Sequence, residues 1–214
     1  MDKKTFQKIL NILEKRYDYW EKKKDDPFRV LIRTVLSQRT KDEVTDKAAE
    51  RLFSKADTPD KLLSLSVREI ENLIKPVGFY KVKARRIKEI SKILIEKYNG
   101  KVPISRDEML LLPGVGKKTV DCVLAFSFNK PMIAVDVHVA IISRRLGITN
   151  SNDYDQIQED LFKITPKNKR KLVNFLLVEF GKEICRTQKP KCEICPVREW
   201  CKYYKGLNKK ISMN

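Results

Sequence analysis

Four cysteines stand close together between positions 185 and 201, and thiols at such short spacing can hold a metal group or one another. Cys185, Cys192, Cys195 and Cys201 make C-x6-C-x2-C-x5-C, while Cys122 stands alone in an apolar stretch. Four thiolates can bind a 4Fe-4S cluster or zinc, because both accept tetrahedrally disposed sulfur. Zinc sites usually show two close pairs, and here only Cys192 and Cys195 make one, so the spacing favours iron-sulfur. Disulfides are the third reading, but MDKKTFQKIL lacks the apolar core of a secretion signal, and a cytosolic chain keeps its thiols reduced. Cys122, flanked by Val120, Val123 and Leu124, is expected to be a small buried thiol in a helix core. The cations around the four-cysteine segment, among them Lys182, Arg186, Lys191 and Arg198, suit a loop displayed to phosphates.

A second group with chemical potential is Leu112-Pro-Gly-Val-Gly116, set between two apolar helical segments. Its glycines permit a tight turn, and backbone N–H groups there and at the next helix N-terminus can hold a phosphate. This is a helix-hairpin-helix signature, and it nominates Gly114, Gly116, Lys117 and Thr119 as DNA contacts. Gly116-Lys-Lys-Thr119 superficially matches a nucleotide-binding P-loop. That motif needs glycine five positions earlier, where Leu111 stands, so ATP binding is rejected.

The elements that must carry these groups read as helices throughout. Phe6, Leu10, Leu13, Tyr17 and Trp20 recur at helical spacing before a charged break, KKKDDP, and the apolar FRVLIRTVL. Thr58-Pro59 and Thr165-Pro166 offer an N-cap with proline at the first helical position, and Ser66 to Glu69 and Ser105 to Glu108 fit the capping box. Ala84, Ile87, Ile90, Leu94 and Tyr98 give one helix an apolar face that should end at Asn99-Gly100. Leu172, Phe175, Leu176 and Phe180 give another, with a stop expected at Gly181. Only Met132 to Val137 could form a short strand.

Composition bounds the rest. The 214 residues suffice for one large domain or two small ones, and 42% hydrophobic with 35% charged residues describes a globular protein. No apolar run approaches the ~20 residues that span a bilayer, so no membrane partner is expected and a cytoplasmic, nucleoid-associated monomer is. Lys+Arg exceed Asp+Glu by 46 − 28 = 18, an excess that draws polyanions through long-range field and counterion release. Nucleic acid is the leading partner; the bland alternative is a lysine-rich or thermophilic surface.

Taken together, LPGVGKKTVDCVL, AVDVH at 134 to 138 and the C-x6-C-x2-C-x5-C element resemble the endonuclease III family of helix-hairpin-helix DNA glycosylases. The similarity extends to LSQRTKDEVT and to PVGFYKVKA at 76 to 84. It implies an all-α, two-lobed fold: a helical barrel over residues 20–130 containing the hairpin, and a second lobe of 1–19 plus 131–214 ending in a 4Fe-4S cluster loop. The implied activity is removal of a damaged base, in this family an oxidised pyrimidine, from double-stranded DNA, followed by cleavage at the abasic site.

The resemblance maps the family's nucleophile onto Lys118 and its aspartate onto Asp136, facing each other across an interlobe cleft. The chemistry is consistent with that transfer. An amine attacking the sugar C1′ must first be neutral, and Lys118 has Lys117 and a helix N-terminus as neighbours. A carboxylate can activate the attack and stabilise positive charge on the sugar as the base departs. The Schiff base so formed undergoes β-elimination, which nicks the strand. Outside this motif context Lys118 reads as a phosphate-binding lysine and Asp136 as a helix N-cap.

Duplex DNA hides its bases, so the target must be extruded and the gap filled by inserted side chains. The resemblance makes Phe79 the wedge, while His138 is expected to bond backbone or phosphate. Family members place glutamine before the threonine-rich element as a second plug. An ungapped match puts Arg39 there and Gln38 one position earlier, which leaves the opposite-base preference open. Mismatch glycosylases share the fold but usually lack a lysine at the position of Lys118, and a non-enzymatic hairpin module has no use for Lys118 together with Asp136.

Overall fold

The structure, a computed structural model, describes residues 1–17 and 26–211, and every regular element among them is helical. The chain opens with α1 (Lys3–Arg16). It continues through α2 (Pro27–Ser37), α3 (Asp42–Lys55), α4 (Pro59–Ser64), α5 (Val67–Ile74), α6 (Tyr80–Tyr98), α7 (Arg106–Leu110) and α8 (Lys117–Phe126). It closes with α9 (Val137–Leu146), α10 (Tyr154–Ile164), α11 (Arg170–Glu183) and α12 (Lys202–Ile211). These helices form two compact units, one of Met1–Glu21 with Pro131–Asn214 and one of Lys22–Lys130.

In the 22–130 unit, α2 packs against α3, α6 and α8, and α6 against α4 and α5. Its helix starts follow the local chemistry. Thr58 Oγ1 accepts from Lys61 N ahead of Pro59, Ser66 and Glu69 close a reciprocal capping box, and Ser105 accepts from Glu108 N. Such caps each contribute about 0.5–2 kcal/mol by satisfying orphan N–H groups. Asp26 caps α2 with Pro27 in its first turn, while Trp20 and the Lys22–Asp25 part of the charged break lie outside the described residues. Helix α6 ends at Asn99 (φ 50°) and Gly100 (φ 73°), a left-handed pair that turns the chain out of the helix.

In the other unit, Phe6, Ile9, Leu10 and Leu13 of α1 are buried with residues of α9, α10 and α11 in one apolar core. Three local expectations are corrected here. Residues 131–136 form no strand: Ile133, Ala134 and Val135 are buried in an irregular connection. Its carbonyls are taken by side-chain amides, Gln158 Nε2 to Ile133 O (2.6 Å) and Asn174 Nδ2 to Ala134 O (2.8 Å), in place of a neighbouring strand. Thr165-Pro166 does not begin α11 directly. Thr165 closes α10, and a 3-10 turn at Lys167–Lys169 precedes α11.

Gly181 does not stop α11, which continues to Glu183. A Cβ at Gly181 would lie 2.5 Å from His138 Nδ1, so the glycine makes room for the imidazole rather than ending the helix.

Candidate functional site

Helices α7 and α8 and the turn between them form the hairpin. Gly114 adopts φ 74°, a left-handed conformation that costs an L-residue roughly 1–2 kcal/mol, and a Cβ there would meet Arg86 Cδ at 2.7 Å. The turn is braced on both sides. Gln38 Nε2 donates to Gly114 O at 2.9 Å, and Arg106 of α7 pairs at 3.3 Å with the buried Asp121 of α8. Gly116 is the N-cap of α8, with open space where a Cβ would stand, so its backbone is accessible.

Lys117 and Lys118 occupy the first turn of α8, Lys117 exposed and Lys118 half-buried. Thr119 is only 3% exposed, so its hydroxyl is not displayed to a phosphate and only its backbone N–H serves that end of the helix. In the other unit, Asp136 is the N-cap of α9: its Oδ1 accepts from Val139 N at 3.0 Å, which fixes the carboxylate at the positive end of that helix. His138 is half-buried on Gly181.

The two candidate plug residues separate cleanly. Gln38 is half-buried and committed to the hairpin, whereas Arg39 is exposed at φ 51° with its guanidinium 5.8 Å from the Phe79 ring. Phe79 is itself left-handed at φ 57° and 62% exposed. An exposed aromatic on a strained turn is suited to insertion and has little packing to lose.

All four clustered cysteines line one cavity, and none of the five cysteines is in a disulfide. Cys122 is buried in α8 as expected. The loop is shaped by two 3-10 turns, Cys192–Ile194 and Arg198–Trp200, after which Cys195 and Cys201 follow directly. Burial pushes the Cys185 and Cys192 thiols up, and the Cys195 thiol to about 11; in each case neighbouring cysteines add to the rise. A cationic metal group binds cysteines as thiolates and would have to overcome that rise, which four converging sulfurs around one cavity allow it to do by direct ligation. Among the described residues no three His, Cys, Asp or Glu side chains are grouped as a metal-ion site.

Sequence reasoning missed Arg145. Its guanidinium reaches Cys185 Sγ (3.4 Å) and the carbonyls of Cys185 (3.1 Å), Arg186 (2.7 Å) and Thr187 (2.9 Å), and it stacks 5.1 Å from the Tyr203 ring. No local signal marks it, because its partners lie about forty residues away.

The profile of the HhH-GPD superfamily of base excision DNA repair proteins matches residues 32–167, a stretch holding the hairpin, Lys118 and Asp136. The chain belongs to that superfamily. Within it, this chain is 48% identical over 187 residues to endonuclease III of Thermotoga maritima, covering 87% of this chain and 88% of that one. The fold is similar to that of a trapped endonuclease III–DNA covalent intermediate in an estranged-adenine complex. The TM-score is 0.88 at 36% identity, over 97% of this chain and 99% of the other. It is also similar to a thermostable thymine-DNA glycosylase, with TM-score 0.85 at 29% identity over 95% and 98% of the two chains. The all-α HhH-GPD fold is thereby established, and the four-cysteine loop lies beyond the stretch that the superfamily profile matches. Among the described residues no helix is long and apolar enough to cross a membrane.

Proposed function

We propose that this base excision repair protein is a bifunctional DNA glycosylase and AP lyase that removes oxidised pyrimidines from double-stranded DNA through Lys118 and Asp136. The observation that carries the assignment is the placement of Lys118. It is a half-buried lysine in the first turn of the helix that leaves the hairpin, held there by a turn braced through Gln38 and Arg106.

In this reading the Lys118 amine, once neutral, attacks C1′ and the glycosidic bond breaks, the base leaving with the bonding pair and taking up a proton. Asp136, anchored at Oδ1 by the Val139 N–H, supplies negative charge against the cation developing on the sugar. The amine then forms a Schiff base with the opened sugar, and loss of a C2′ proton expels the 3′ phosphate by β-elimination. Phe79 and Arg39 occupy the gap left by the extruded nucleotide. Gln38 supports the hairpin, while Gly114, Gly116, Lys117 and the Thr119 backbone face phosphate with His138 as a further contact.

Cys185, Cys192, Cys195 and Cys201 hold a 4Fe-4S cluster in this reading, with Arg145 donating to the Cys185 sulfur. The cluster supplies structural cross-links that order the 185–201 loop. The protein acts as a monomer on nucleoid DNA. A thymine-mismatch specificity is suggested by the likeness to the thymine-DNA glycosylase, but Lys118 provides a lyase step that such a specificity does not require.

A panel of duplexes tests the proposal, each carrying thymine glycol, 5-hydroxycytosine, a G·T mismatch or an abasic site. Release of the oxidised bases with a nick 3′ to the abasic site is expected. Release of thymine from the mismatch alone, without strand cleavage, would overturn it.

A further inference from the structure

Lys83 is the most deeply buried basic side chain identified in the 22–130 unit, only 3% exposed, and none of the chemistry above uses it. It lies in the first turn of α6 and donates through Nζ to Leu36 O (2.7 Å), Gln38 O (2.5 Å) and Thr40 Oγ1 (3.2 Å). The Leu36 carbonyl belongs to the last turn of α2, where carbonyls lack helical donors, and the Gln38 carbonyl follows it out of the helix. Three bonds from one ammonium offset the cost of taking its charge out of water. Burial, with the Arg86 cation as a smaller cause, nevertheless lowers the Lys83 amine to about 8.

The same three bonds lead to a second loop. Thr40 Oγ1 also accepts from Gly78 N at 3.2 Å, and a Cβ at Gly78 would come within 2.9 Å of Arg39 O. The 38–40 loop and the turn at 77–79 are therefore joined through the Thr40 hydroxyl, which accepts from both Gly78 N and Lys83 Nζ, with the two backbones in close approach at Arg39 and Gly78. Arg39 and Phe79 project on either side of it, both non-glycine residues at left-handed φ, with the guanidinium against the ring. Two adjoining left-handed residues cost roughly 1–2 kcal/mol each and persist only where the surroundings over-determine them.

We propose that Lys83 is a positioning residue: it latches the 38–40 loop to the 77–79 turn so that Arg39 and Phe79 enter the duplex as one preassembled unit. The proposal rests on the assignment of Arg39 and Phe79 to the DNA gap. Without the latch the two side chains must be ordered at the moment of insertion, and a wedge misplaced by an ångström loses about a hundredfold in rate.

The test reads insertion apart from chemistry. A duplex with 2-aminopurine beside a tetrahydrofuran abasic analogue brightens when the stack is opened, with no need for cleavage. Wild-type protein should raise the fluorescence, and Lys83→Met should lower that response and slow base release from duplex thymine glycol by about 10- to 100-fold. Borohydride trapping on a single-stranded abasic site, which needs no wedge, should fall less than about threefold in the same variant. Lys83→Arg, which keeps a charged donor, should recover most of the loss. Thr40→Val, which removes the shared hydroxyl while leaving Lys83 in place, should show the same pattern more weakly.

Equal losses on duplex and single strand, or no loss in any variant, would overturn the latch. Wild-type protein that brightens the probe yet releases no base and is not trapped would remove the glycosylase reading and leave the latch to be judged on fluorescence alone. Should Lys83→Met fail to fold, Lys83→Arg and Thr40→Val decide.

Discussion

The unit around the hairpin and the unit around the cysteines both turn basic side chains onto their own backbone, but the loops they hold differ in what completes them. In the hairpin unit Arg51 donates to Leu73 O and Lys75 O, Lys83 to Leu36 O and Gln38 O, and Lys88 to Leu63 O and Leu65 O. Each cation closes a helix end or turn with protein atoms alone. In the cysteine unit Arg145 holds three successive carbonyls of the 185–187 segment and Arg198 holds Glu193 O, but the loop's regular structure is limited to short 3-10 turns, with four cysteines outside any disulfide around a cavity. The lesson concerns the net charge of +18: part of it is structural, capping carbonyls that would otherwise face the interior unpaired, and only the remainder is available to phosphates.

The largest effect is expected in the loop proposed to ligate metal. Cys195→Ser is expected to lose iron and brown colour and to open residues 185–201 to proteolysis, because the loop has little regular structure to fall back on. Iron content and limited digestion check this. A colourless, metal-free and protease-resistant wild type would instead place both loops in the same category. A smaller effect is expected in the hairpin. Gly114→Ala should keep the fold while costing about 1–2 kcal/mol from its left-handed φ, and DNA binding should weaken as the phosphate-facing amides shift. Thermal melts and salt-dependent binding measure the two consequences.

The smallest effect belongs to a surface tether of the cysteine unit. The Arg16 guanidinium, and then the Tyr17 hydroxyl, hold the Glu183 carboxyl below its usual 4.5, at about 2. A carboxyl lowered in the folded protein stabilises it above pH 4.5, and that stability is lost as pH falls toward about 2. Arg16 and Glu183 are 41% and 44% exposed, so Glu183→Gln should change the neutral melting temperature little and flatten the acid limb over that window.

What the sequence revealed is what neighbouring residues decide. The capping box at Ser66, the left-handed exit at Asn99-Gly100 and the tight turn at Gly114 follow from residue types within a few positions, and the structure has all three. The misreadings occurred where a distant partner prevailed. Gly181 has the residue type of a helix stop but makes room for His138, and the buried 133–135 segment has a strand's composition but side-chain amides as partners. Lys83, Arg145 and Gln38 could not be assigned from spacing, since their acceptors lie 40 or more positions away. The motif residues were legible because hairpin chemistry is local; what holds them in place was not.

The claim on which the functional account depends is that the Lys118 amine becomes covalently joined to the sugar. Borohydride reduction of the protein with duplex abasic DNA, followed by peptide mass mapping, tests it directly. The account predicts one cross-linked peptide bearing its adduct on Lys118 and no trapped complex from Lys118→Gln. An adduct on another amine, or undiminished trapping by that variant, would contradict it.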